Sequence, residues 1–190
     1  KKGLKKLNQD DRERVWYDDF LKFQADNKIF YTIFTPSEYG DGTTAWDTTR
    51  NTTFAEILGF YGLCYWYTFQ VTALGLGPIW MGKNEAIKKK TAQMLKDGHI
   101  FAFGLSEKEH GADIYSTDMV LTKTGEETWI ATGEKYYIGN GNKAGFASTF
   151  GRFADTNEYV FFAAESAHEK YKCVRNVVNS QSYVANYALN

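Results

Sequence analysis

Apolar positions along this chain change their spacing once, near residue 100. Upstream they recur every three or four residues, which is the mark of amphipathic helices. Lys1 to Gln9 is basic with little pattern. Asp10 or Asp11 is suited to cap a helix whose Trp16, Phe20 and Phe23 fall at i, i+4 and i+7. Phe34 to Gly42, punctuated by Pro36, Gly40 and Gly42, reads as loop. From Asp47 a further helix is expected, with Phe54, Ile57, Leu58 and Tyr61 at helical spacing. Leu63 to Leu74 is apolar on every side and must be buried, with Gly75, Gly77 and Pro78 expected to end it. It is too short, and too polar at Thr68, Gln70 and Thr72, to cross a bilayer. Asn84 suits a cap for the next helix, with Ile87, Thr91, Met94 and Leu95 on one face and Gly98 as the stop.

From Ile100 the pattern becomes one of short strands and turns. Phe101 to Leu105 suits a strand buried on at least one face, and Ser106 begins a polar loop in which Gly111 lends the backbone freedom. Ser116 to Lys123 is a strand candidate, followed by a turn at Gly125-Glu126-Glu127. Trp129 to Ile138 reads as two short strands bent or bulged at Gly133. Gly139-Asn140-Gly141-Asn142 is turn chemistry. Ala144 to Phe153 and Glu158 to Ala164 follow as strands. Glu165 to Asn176 is polar and reads as an irregular connection, with short strands at Val177-Val178 and Tyr183-Val184. The expectation is an α+β chain: an all-helical domain over 1–99, then an antiparallel, barrel-like β domain over 100–190.

Composition narrows the function classes. A net charge of −1 argues against a nucleic-acid surface, which needs a basic excess. The dense basic run Lys88-Lys89-Lys90 sits in a helical pattern and reads as a solvated face. Aromatic residues make up 17% of the chain, which favours a large packed core or a pocket for a flat ligand over disorder. Two cysteines, Cys64 and Cys173, make no disulfide framework, and no metal-ligand spacing surrounds them. No charged-then-apolar N-terminal signal is present. These features fit a soluble cytoplasmic chain, with the mitochondrial matrix as the alternative.

The candidate chemistry begins where the strand ending at Leu105 empties into its loop. Such a strand end leaves backbone N–H groups unpaired, and these can face an acceptor-rich ligand. An ordinary strand end with a solvated turn fits the same residues. A second stretch decides between them. Phe103, Leu105, Ser106, Glu107, Gly111, Ala112 and Asp113 are followed in order by Gly133, Lys135, Tyr137, Ile138, Gly139, Asn140 and Gly141. Together they resemble the middle, β-rich part of the acyl-CoA dehydrogenase family. That family has an aromatic-x-hydrophobic-Thr/Ser-Glu strand end with a Gly-Ser-Asp-like loop, then Gly-x-Lys running into aromatic-Ile-Thr-Asn-Gly. The segment Pro36 to Gly42 resembles the family's Pro-x-x-Tyr-Gly-Gly-type loop more weakly.

The resemblance implies FAD as cofactor, an acyl-CoA as substrate and an electron-transferring flavoprotein as electron acceptor, in a homodimer or homotetramer. It places the backbone around Phe103, Leu105 and Ser106 on the pyrimidine edge of the flavin, with the Ser106 hydroxyl as a further donor and acceptor. Tyr137 lies against the ring face away from substrate, and Ile138 and Gly139 lie near N5. Gly111 and Ala112 approach the pyrophosphate, and Ser106 and Ala112 the substrate side. Three departures stand out. Gly139 replaces a Thr or Ser whose hydroxyl helps hold N5, Ala112 replaces a Ser, and Lys108 and His110 replace a Pro and a small residue. Lys108 or His110 is a candidate to neutralise pyrophosphate charge. No catalytic residue is assigned, because the family's glutamate lies in a later helical domain, expected beyond Asn190. The chain is therefore expected to be an N-terminal piece, inactive alone. An acyl-CoA oxidase and a non-catalytic scaffold homologue are the alternatives.

Overall fold

The computed structural model describes residues 2–179 and 182–190. Six α-helices come first: α1 Gly3–Arg12, α2 Asp18–Asp26, α3 Ile29–Phe34, α4 Thr48–Tyr61, α5 Leu63–Met81 and α6 Glu85–Lys96. Seven strands follow: β1 Ala102–Gly104, β2 Val120–Lys123, β3 Trp129–Gly139, β4 Phe146–Phe153, β5 Tyr159–Glu165, β6 Tyr171–Asn179 and β7 Ser182–Leu189. The α+β expectation therefore holds, with one refinement. The sheet is mixed, because β4 pairs in parallel with β1 near its start and with β2 near its end. Along its length β4 also pairs antiparallel with β5.

The capping signals that the sequence carries act where they should. Asp47 accepts from the Arg50 N–H at 3.0 Å and Asn84 from the Ile87 N–H at 3.1 Å, each satisfying one orphan donor of a first turn. Asp10 does not cap. It lies inside α1, buried, where Lys2 and Lys6 hold it at 2.7 and 2.9 Å, so the basic start is helical and α2 begins only at Asp18. Phe23 consequently points outward and is 57% exposed, while Phe20 packs against the core. Within the expected face of α4, Leu58 is buried but Ile57 and Tyr61 are exposed.

Helix α5 corrects the reading most. It runs through Gly75, Gly77 and Pro78 to Met81, although Pro78 forfeits a main-chain bond and clashes with the preceding turn, at about 3 kcal/mol. Burial of Phe69, Leu76 and Ile79 within the main apolar cluster offsets that loss. Gly75 is there because the helix backbone lies directly on β1. A Cβ at that position would sit 2.4 Å from the Ala102 carbonyl oxygen. Ser148 of β4 donates to the Gly75 carbonyl at 2.5 Å and locks the same contact.

In the sheet, β3 is one strand of eleven residues that changes partner at the expected glycine. It pairs with β2 through Thr132 and with β7 from Gly133 onward. Gly133 has φ +154°, and a Cβ there would press on the Met119 backbone at 2.8 Å. The register with β7 shifts between Lys135 and Ile138. Two other expectations need correction. Residues 116–119 are not strand, and the polar segment after Glu165 is irregular only over 166–170, because from Tyr171 it is β6, whose long ladder with β7 includes Val177 and Val178. Cys64 and Cys173 are free. No helix among the described residues is long and apolar enough to cross a membrane.

Candidate functional site

The two stretches singled out in the sequence meet. The Tyr136 N–H donates to the Ser106 carbonyl at 2.9 Å, and the Ser106 hydroxyl donates to the Tyr136 carbonyl at 3.0 Å. The end of β1 and the last turn of β3 are thus hydrogen-bonded side by side. The Ser106 hydroxyl uses its only hydrogen within the protein and keeps acceptor capacity alone. The Leu105 and Ser106 N–H groups donate to nothing among the described residues.

Beneath this junction lies a buried ion pair. Lys135 is fully buried, and its Nζ donates to Glu107 Oε1 at 2.5 Å and to the Leu105 carbonyl at 3.1 Å. Glu107 also accepts from the Thr117 hydroxyl at 2.5 Å and from the Asp118 and Met119 N–H groups at 2.7 and 3.3 Å. Burial pushes its carboxyl up, but the bonds from Lys135, Thr117 and Asp118 outweigh that and hold it below its ordinary range. Burial is also the largest influence on Lys135, and it pulls the ammonium below its usual value against the attraction of Glu107. These bonds explain why residues 116–119 are not strand: their main chain wraps a carboxylate instead of pairing with a neighbour. Glu107 is accordingly a structural anchor.

Tyr137 presents its ring outward, 46% exposed, with φ +59°, a conformation that costs a non-glycine residue about 1 kcal/mol or more. Its N–H donates to Asn186 Oδ1 at 3.0 Å. Phe103 is half-buried, its ring stacked on Phe161 at 5.3 Å between centroids. Ile138 is 2% exposed and belongs to the apolar cluster of the sheet, so only its main chain can face a ligand. Gly139 is also buried, at the point where β3 touches α5.

Gly111 and Ala112 lie apart from this junction, exposed on the loop after β1. Gly111 adopts no left-handed φ, and a Cβ there would meet open space, so the expected need for glycine is not found. The loop is held instead by paired Glu107–His110 main-chain bonds at 2.9 and 3.3 Å. His110 Nδ1 lies 2.8 Å from Asp113 and Nε2 lies 3.5 Å from Asp118. The Asp113 carboxylate raises the imidazole above its ordinary value. Glu107, His110 and Asp118 form the one His/Cys/Asp/Glu cluster of metal-ligating spacing among the described residues, and Lys135 already neutralises Glu107 there. Lys108 is exposed, with Glu109 3.8 Å away.

One position named in the resemblance has a structural task that the sequence did not disclose. Asn140, which reads there as simple turn chemistry, is fully buried at φ +59°. Its Nδ2 donates to the Phe101 carbonyl at 2.9 Å and the Thr68 carbonyl at 3.2 Å. A single amide therefore ties the turn after β3 to α5 and to the residue just before β1. The available signal was asparagine's tolerance of left-handed backbone beside two glycines.

Comparison with known proteins agrees with this architecture. No protein-family model matches the chain. A short-chain-specific acyl-CoA dehydrogenase of Megasphaera elsdenii is 36% identical over 73 residues, which is 38% of this chain and 19% of that protein. The butyryl-CoA dehydrogenase structure from the same organism superimposes with a TM-score of 0.83 at 21% identity, over 96% of this chain and 50% of that one. An acyl-CoA dehydrogenase of Bacillus anthracis, solved in complex with FAD, gives 0.82 at 20% identity, over 98% of this chain and 32% of that one. The chain thus spans half or less of the length of these relatives.

Proposed function

Because this chain has the fold of the acyl-CoA dehydrogenases and resembles that family in sequence, we propose that it carries the flavin-facing part of an FAD-dependent enzyme that desaturates an acyl-CoA thioester. The observation that carries this reading is the junction of the β1 end with the β3 turn. Two N–H groups without partners among the described residues, at Leu105 and Ser106, are held by reciprocal hydrogen bonds near the strained, outward ring of Tyr137. That donor set suits a flat ring with an acceptor-rich edge, and the B. anthracis relative was solved with FAD.

FAD, when bound, supplies hydride acceptance, and the protein supplies orientation and electrostatics. In this reading the Leu105 and Ser106 main chain and the Ser106 oxygen hold the ring edge, and Tyr137 covers one face. Phe103 sits behind the strand end, while Ile138 and Gly139 contribute main chain alone. Gly111 and Ala112 approach the pyrophosphate through a loop whose shape His110 and Asp113 hold. Glu107 is occupied by Lys135 and Thr117 and is not assigned as the base that removes the substrate's α-proton. An acyl-CoA substrate, an electron-transferring flavoprotein and a homo-oligomeric state belong to the same proposal.

The test is anaerobic addition of short-, medium- and long-chain acyl-CoAs to the complete protein while its absorbance is followed. Substrate-dependent bleaching of bound flavin is expected. A protein that holds flavin but bleaches with no acyl-CoA contradicts the substrate assignment, and one that holds none contradicts the cofactor.

A further inference from the structure

Helix α5 brings a phenol to the place that a side chain at position 139 would fill. A Cβ built on Gly139 would lie 2.7 Å from Tyr67 Oη, 2.8 Å from Tyr67 Cε1 and 2.8 Å from Val71 Cγ2. The Tyr67 phenol thus fills the space beside the end of β3 that a serine or threonine side chain at 139 would need. Tyr67 is half-buried, and its hydroxyl makes no hydrogen bond among the described residues. The Tyr137 phenol is close enough to influence that of Tyr67. A half-buried hydroxyl that makes no hydrogen bond among the described residues keeps its donor available, and near an outward aromatic ring it is placed to meet a ligand.

We propose that Tyr67 is a cofactor-binding residue: its hydroxyl, reaching across from α5, donates to the acceptor edge of the ring that lies against the end of β3. The inference rests on the flavin reading above and deepens it. The hydroxyl missing at Gly139 is then relocated, and glycine is required there to admit the phenol. Burial, and then the neighbouring Tyr137, hold the Tyr67 phenol above its usual value, so it remains a donor at neutral pH.

Flavin-free complete protein titrated with FAD, followed by fluorescence, tests this in four variants. Tyr67→Phe keeps the ring and removes only the donor, so affinity is expected to fall about three- to tenfold, as for one lost hydrogen bond. Its thermal midpoint without FAD is expected to stay at the native value. Gly139→Thr alone is expected to lower that midpoint, because its Cβ meets Tyr67. Tyr67→Ala is expected to bind weakly, and adding Gly139→Thr to it is expected to restore affinity by returning a hydroxyl to the end of β3. Native affinity in Tyr67→Phe overturns the inference, as does a double variant no better than Tyr67→Ala. If those outcomes occur while the native protein binds FAD, only the role of Tyr67 falls. If the native protein binds none, the flavin reading falls with it.

Discussion

Tyr137 illustrates what a single residue contributes. Its backbone at φ +59° is unfavourable for any residue with a Cβ, and the neighbouring Ser106–Tyr136 bonds hold it there. Glycine at 137 is therefore expected to make the protein about 1 kcal/mol more stable than alanine at 137, measured by chemical denaturation. Lys135 and Glu107 act in the opposite sense, as fold anchors. Glu107→Gln leaves a buried ammonium uncompensated and is expected to cost about 3–5 kcal/mol, whereas Glu107→Gln combined with Lys135→Met is expected to recover most of it. Because the Glu107 carboxyl is held below its ordinary value, its contribution is complete above about pH 4.3 and is lost as pH falls through the folded value. His110 has the reverse sign. Raised by Asp113, with Asp118 and Glu107 adding to the effect, it holds its loop fully below about pH 6.5 and releases it as pH rises through the folded value. Amide exchange across 106–119 is expected to quicken over that range in the native protein and to show no such step in His110→Ala.

Among the elements, α5 and β3 divide the work. Helix α5 lies under β1 through Gly75 and under the β3 turn through Asn140, so it sets the spacing of the two segments that form the candidate site. Gly75→Ala gains about 1 kcal/mol of helix propensity, but its methyl group must displace the Ala102 backbone. A net loss of about 1–3 kcal/mol is expected in denaturant unfolding. This helix also shows why part of the fold was hard to read. Gly75, Gly77 and Pro78 are local stop signals, and only tertiary burial carries the helix past them. The segment after Glu165 misleads for a related reason. Its polar residues are mostly exposed, and it becomes β6 only because β7 offers it a ladder. Gly133, Asp47 and Asn84 were legible because each acts through its own backbone or its own cap.

For the whole molecule, the order of elements was readable and the contacts between distant segments were not. The change of periodicity near residue 100 announces helices followed by strands, and the α+β architecture matches solved acyl-CoA dehydrogenases over nearly the whole chain. Local pattern picked out Ser106 and Tyr137, but their hydrogen-bonded junction spans some thirty residues and only the fold reveals it. The same holds for Tyr67, which reads as one aromatic in an apolar run until α5 is placed against Gly139. The central claim is that the β1 end and the Tyr137 turn together hold a flavin ring. Titrating FAD into flavin-free complete protein, native and Tyr137→Ala side by side, tests it most directly. Saturable binding that weakens about three- to tenfold without the aromatic ring is the expected result. No saturable binding to the native protein, or equal affinity in both, would contradict it.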